Sequence, residues 1–173
     1  MKAEYLIRGS PGHPLHPPLT DATIGAYTTA AVLGVLGWLG VAESDLAKGW
    51  WLALIVGLIV SAPTALAGLA DWLQITRGTP LWRTATLHAL VMVAATAFFG
   101  LAAIFGHTPF HDGRVSDGSL LLTLVGFAVL TAGGWIGGSV TYVHGMRVLG
   151  LPEEPASRAV APLAEEGDGP ATR

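Results

Sequence analysis

Asp71, His88 and His144 stand just inside the ends of three long apolar runs, and His13 and His16 just precede the first of four such runs. Ionisable groups are costly in hydrocarbon, so carboxylates and imidazoles in these places are candidate site residues. A haem b site would use His88 and His144 as two axial ligands from facing helices. Gly133 and Gly137 would then make room for the edge of the macrocycle, and Asp71 or Arg83 would hold a propionate or orient an imidazole N–H. A non-haem site for a divalent transition metal would draw on His13, His16, Asp71, His88 and His144. That nitrogen and oxygen set suits zinc, iron, copper or manganese. In a third reading no cofactor is held: Asp71 pairs with His88 or His144 as a buried lock, and the chain serves as a membrane anchor for a partner. No further base or nucleophile accompanies these groups, so the chain is not expected to be an enzyme by itself.

The elements that position these residues follow from hydropathy. Hydrophobic residues make up 51% of the chain, charged residues only 12%, and the mean hydropathy is +0.55, which excludes an ordinary soluble domain. A hydrocarbon core takes roughly 20 helical residues to cross. Four runs reach that length without an internal Lys or Arg, at about 22–42, 50–74, 83–106 and 119–147 with their polar margins. Continuous apolar runs point to helices rather than to the short alternating strands of a barrel. The expected fold is therefore all-α, an integral membrane antiparallel four-helix bundle over residues 20–150. A Pro- and His-rich segment (1–19) precedes it, and a Pro-, Glu- and Gly-rich tail (151–173), expected to be disordered, follows it.

Lys2, Arg8, Arg77, Arg83, Arg147, Arg158 and Arg173 fall on one side of this arrangement, and only Lys48 and Arg114 on the other. The positive-inside rule then places both termini in the cytoplasm of a multi-pass cell-membrane protein. It puts the loops 43–49 and 107–118 outside. His107 and His111 belong to the second of these and read as solvated loop residues. No cleavable signal peptide is expected. The absence of cysteine removes thiol redox chemistry and thiolate metal sites, and a net charge of −3 gives no reason to expect nucleic acid as a partner.

Thr20 and Asp21 read as N-cap residues of the first helix, with GHPLHPP (12–18) extended before it. Stepping by three or four residues groups Thr64, Gly68 and Asp71 on the second helix, and Thr84, His88, Met92 and Ala95 on the third. On the fourth it groups Gly133, Gly137, Thr141 and His144. These small or polar faces should point into the bundle, in its cytoplasmic half. Gly133/Gly137 and Gly134/Gly138 form overlapping G-x-x-x-G pairs, suited to close helix packing or to a homo-oligomer. A proton or ion pathway is disfavoured, because the outer halves of the second and third helices are almost wholly apolar.

GHPLHP (12–17), GLADW (68–72), the R-x-x-x-x-H of Arg83 and His88, and GGWIGGSVTYVHG (133–145) together resemble one family over about residues 10–150. It is the bacterial four-helix membrane domain called domain of unknown function 2231. The resemblance implies no assigned activity. Relatives joined to Rieske-type or cytochrome-c-type modules imply electron transfer with a redox-protein or quinone partner. Where many relatives carry a further His after the HPLHP segment, this chain reads LTDAT, with Asp21 near that place.

Overall fold

Backbone N–H and C=O groups must find partners within the chain where no water reaches them, and long helices do this most directly. In the computed structural model, which describes residues 5–160, a single helical turn, α1 (Tyr5–Arg8), leads into a minimal antiparallel hairpin. Its strands are β1 (Gly9–Ser10) and β2 (His13–Pro14), with Gly9 opposite Pro14 and Ser10 opposite His13. Four long helices follow: α2 (His16–Trp38), α3 (Glu43–Trp72), α4 (Pro80–His111) and α5 (Asp117–Gly138). A π-helical turn, Ser139–Val143, extends α5, and one more helical turn, α6 (Ala156–Ala159), lies beyond it. All four long helices are long and apolar enough to cross a membrane. Their outward faces carry side chains such as Leu52, Ile59, Leu90, Val93 and Leu121, all well exposed on the isolated bundle.

Helix boundaries differ from expectation at three places. The first helix begins at His16 rather than near Ala22, because Pro17 and Pro18 occupy its first turn, where no backbone donor is required. Thr20 and Asp21 are therefore interior, and the Thr20 hydroxyl bonds back to the His16 carbonyl at 2.9 Å. Residues 43–49 form the opening turns of α3 rather than a loop, and α4 runs through His107 to His111. At 30 and 32 residues, these two helices exceed the roughly 20 that hydrocarbon demands and can project beyond it. Of the tail expected to be disordered, 156–159 is helical, with Arg158 paired to Glu154. Residues 161–173 lie outside the described residues.

The bundle is built from two hairpins, α2–α3 and α4–α5, each packed more extensively within itself than against the other. They are copies of one design. One constant offset relates buried positions of α2 to those of α4: Thr23 to Ala95, Tyr27 to Phe99, Ala30 to Ala102, Ala31 to Ala103 and Gly34 to Gly106. A second constant offset relates α3 to α5: Trp50 to Ser119, Leu54 to Thr123, Gly57 to Gly126, Thr64 to Gly133 and Asp71 to Val140. One such pair meets between the hairpins: Tyr27 and Phe99 stack with ring centres 3.8 Å apart and planes within 8°. Gly57 and Gly126 lie under these rings, and a Cβ at Gly57 would run into Tyr27. Trp50 is fully buried nearer the opposite end from the termini. Its ring fills the space left by Gly34 and Gly106, and its N–H donates to Thr123 Oγ1 at 3.1 Å.

Candidate functional site

At the end of the bundle where α2 begins and α5 ends, the repeated design places two histidines together. His16 opens α2, and His88 occupies the equivalent position on α4. Their ring centres are 6.4 Å apart, with planes at 84°. Each ring lies on a glycine of its own hairpin partner. A Cβ at Gly68 would sit 2.8 Å from His16 Cε1, and a Cβ at Gly137 would sit 2.8 Å from His88 Cε1. The Nδ1 of His16 is 2.9 Å from the Thr64 carbonyl, and that of His88 is 2.9 Å from the Gly133 carbonyl. A carbonyl can only accept, so each Nδ1 carries hydrogen and each neutral ring keeps its lone pair on Nε2. For His16 the nearest polar group to that nitrogen is Thr20 Oγ1 at 3.5 Å. The Nε2 of His88 has no hydrogen-bond partner among the described residues. Both side chains are half-buried.

Two imidazoles are thus held in one tautomer by helix carbonyls, which is how metal-ligating histidines are usually fixed. The donor set and its tautomers are those that bis-imidazole ligation uses. The glycines beneath the rings fit too, since they are what lets an imidazole lie flat against a helix.

One helical turn nearer the termini, Asp71 is buried and accepts from Arg8 Nε at 2.9 Å, while Arg147 Nε stands 3.7 Å from the same oxygen. Arg147 adopts φ +63° and donates through Nη2 to the carbonyls of Arg8 (2.7 Å) and Gly9 (3.3 Å). This cluster ties the segment before α2 to the ends of α3 and α5. An open groove of about 480 Å³ beside it is lined by Arg8, Asp71, Gln74, Thr79 and Met146 among others.

The expected site residues are distributed accordingly. The facing partner of His88 is His16, rather than His144. The Nε2 of His144, beyond the π-helical turn, is 3.0 Å from Thr84 Oγ1. Asp71 pairs with two arginines, not with a histidine as the lock reading supposed. Gly137 lies under His88, and Gly133 supplies the carbonyl that fixes it while packing against Met92. Gly134 and Gly138, the other G-x-x-x-G pair, face away from the neighbouring helices, leaving open space at their Cα atoms apart from Tyr142 beside Gly138. Arg83 is exposed on the first turn of α4, and His13 is exposed on the hairpin. Among the described residues no group of three or more His, Asp or Glu side chains is arranged to hold a metal ion, so the five-residue non-haem set is not assembled.

Sequence reasoning missed Arg8 and Arg147 as partners of Asp71, and Thr64 and Gly68 as the seat of His16. The signal for the latter was present in the shared spacing of His16 and His88 to the small residues of the following helix.

No curated protein and no solved structure matches the chain. A family model described as a predicted membrane protein, DUF2231, matches residues 12–150. Four helices long and apolar enough to span a bilayer agree with that description, and the chain belongs to this family of predicted membrane proteins, to which no activity is assigned.

Proposed function

We propose that the protein is a cell-membrane electron-transfer subunit that holds one haem b between His16 and His88, in the leaflet nearer the cytoplasm. The observation that carries this reading is the duplicated imidazole: two histidines at equivalent positions, each oriented by a helix carbonyl and seated on a glycine, 6.4 Å apart. The basic residues gathered at the same end support a cytoplasmic orientation for both termini. When bound, the haem supplies one-electron transfer at a potential set by its ligands and surroundings.

The chain's own residues do the rest. Thr64 and Gly133 fix the tautomers and turn both imidazoles so that Nε2 is the ligating atom. Arg147, whose Nε makes no hydrogen bond among the described residues, would hold a carboxylate side group of the macrocycle, in the role first expected of Arg83 or Asp71. The stacked Tyr27 and Phe99 close the bundle on the far side and keep water out. A redox protein or a quinone would exchange electrons with this end.

The test is the absorption spectrum of the protein purified in mild detergent from haem-replete cells, oxidised and then reduced with dithionite. The expected result is a Soret band that shifts on reduction, with sharp α and β bands. His16→Ala or His88→Ala should abolish it, and His144→Ala should leave it intact. A colourless preparation overturns the reading. It would favour the anchor alternative, for which the same hydrogen bonds, tying α2 to α3 and α4 to α5, are the supporting observation.

A further inference from the structure

A second pair of imidazoles lies at the opposite end of the molecule from His16 and His88. We propose that His107 and His111 chelate one divalent transition-metal ion of the copper, nickel or zinc type at the outer end of α4. The two residues are four apart on one helix, so they share a face. Their ring centres are 4.7 Å apart, at 75°. Both are exposed, so an ion reaches them without any opening of the bundle. The same spacing on a helix supplies the two histidines of helical zinc sites.

The pair is also walled. Trp51 lies 5.7 Å from the His107 ring and 4.7 Å from Phe110, and Phe110 lies 5.1 Å from His111. The Trp51 N–H is anchored on the Ala103 carbonyl at 2.9 Å, which keeps that wall in place. These contacts restrict the imidazoles before an ion arrives and lower the entropy lost on binding. Two nitrogen ligands select borderline-soft ions over calcium and magnesium, which need oxygen. Asp112, the next residue, is held by an exposed Arg114 at 3.2 Å. An ion pair of that kind is weak, so its carboxylate can be recruited as a third ligand. Water completes the coordination, which suits reversible capture at a surface rather than a closed structural site.

The experiment titrates the whole chain in detergent micelles with copper(II) chloride, in a His13→Ala, His88→Ala background that removes the other exposed histidine and breaks the His16–His88 pair. Stoichiometry is read by equilibrium dialysis and proximity by Trp51 emission, with Trp51→Phe as the optical control. The expected result is one copper ion per chain, with quenching that Trp51→Phe reduces. Loss of either imidazole should weaken binding by about tenfold or more, the scale on which even supporting groups of metal ligands act. Chelation further requires that His107→Ala and His111→Ala each fall nearly as far as the double variant. Single variants that bind as tightly as the parent, small additive losses, or copper retained by the double variant would each overturn the proposal. Both positions are exposed and alanine favours helix, so the variants are expected to fold.

Discussion

The two hairpins of this bundle share a backbone design and differ in what they carry along the axis. The first hairpin is polar at level after level: Thr20, Thr23, Tyr27, Ser61, Thr64 and Asp71. The second places Met92, Ala95, Phe99, Leu130, Gly133 and Val140 at the same stations. In the first, hydroxyls pair across helices, Thr23 to Thr64 at 3.1 Å and Tyr27 to Ser61 at 3.0 Å. In the second, the same space is filled by packing, with Met92 on Gly133 and Phe99 on Gly126. Beyond the small residues and the central aromatic pair, both sides keep a histidine with its Nδ1 on a carbonyl and its ring on a glycine. Features that differ between the halves belong to how each hairpin is held together. The shared histidine is the polar feature on which the proposed site rests.

The largest expected effect tests that inference directly. His16→Ala and His88→Ala should each remove the pigment completely and equally, since a bis-imidazole centre needs both ligands. Difference spectra of the two variants check this. Loss with one variant and retention with the other would break the equivalence of the halves and leave a single-histidine site.

The glycines sharpen the comparison through packing. Gly57→Ala drives a methyl into Tyr27, which cannot retreat because it is stacked on Phe99 at 3.8 Å. Overpacking of this kind costs about 1–3 kcal/mol. At Gly126 the nearest atoms would be Phe98 Cβ at 3.1 Å and Phe99 Cε1 at 3.2 Å. A shift of a few tenths of an ångström there is offset by the gain of roughly 1 kcal/mol from replacing glycine by alanine in a helix. Thermal unfolding in detergent should therefore show Gly57→Ala well below Gly126→Ala. Equal midpoints would mean that the stack is looser than its geometry indicates.

Asp71 has no counterpart in the second hairpin, where Val140 stands. Asp71→Val makes the halves alike and leaves the Arg8 and Arg147 charges without their carboxylate. Breaking a buried ion pair by removing one partner is strongly destabilising. Here both arginines keep about a fifth to a quarter of their side-chain surface, which screens the loss. A destabilisation of about 1–3 kcal/mol is expected, read as a lower thermal midpoint and as faster proteolysis before residue 16. A variant as stable and as resistant as the parent would show that the cluster does not hold the N-terminal segment.

Much of this arrangement was legible before the structure, and the misses have particular causes. Four helices followed from hydropathy because hydrocarbon leaves the backbone no other open choice. The inward faces followed from helical stepping: Thr64, Asp71 and Ala95 are buried as expected, and Gly68 meets His16. The start of α2 was misplaced because two prolines read as helix breakers, although they are well tolerated in a first turn. That error left His16 in an extended segment and made His144 appear the natural partner of His88. The duplication escaped notice because the halves share few identities beyond small residues, such as Gly57 with Gly126 and Gly68 with Gly137, and the two offsets differ. Arg8 and Arg147 reach Asp71 from more than sixty residues away on either side, and no local pattern encodes such a contact.

The smallest effect is the most discriminating for the origin of the asymmetry. Tyr27→Phe turns the central stack into a pair of phenylalanines and removes only the hydroxyl, which bonds Ser61 Oγ at 3.0 Å and faces Thr96, itself bonded to the Met92 carbonyl. Ser61 keeps its own bond to the Gly57 carbonyl at 2.8 Å, so no donor is stranded. When little is left unsatisfied, losing one neutral hydrogen bond costs about 0.5–1.5 kcal/mol. The pigment should be unchanged, because the stack lies about three helical turns along α2 from His16, roughly 16 Å at 1.5 Å per residue. A small fall in thermal midpoint with an unaltered spectrum would assign the first hairpin's hydroxyls to packing alone. A shifted spectrum or reduction potential would instead make the polar half part of what tunes the site, and the two hairpins would then differ in function as well as in construction.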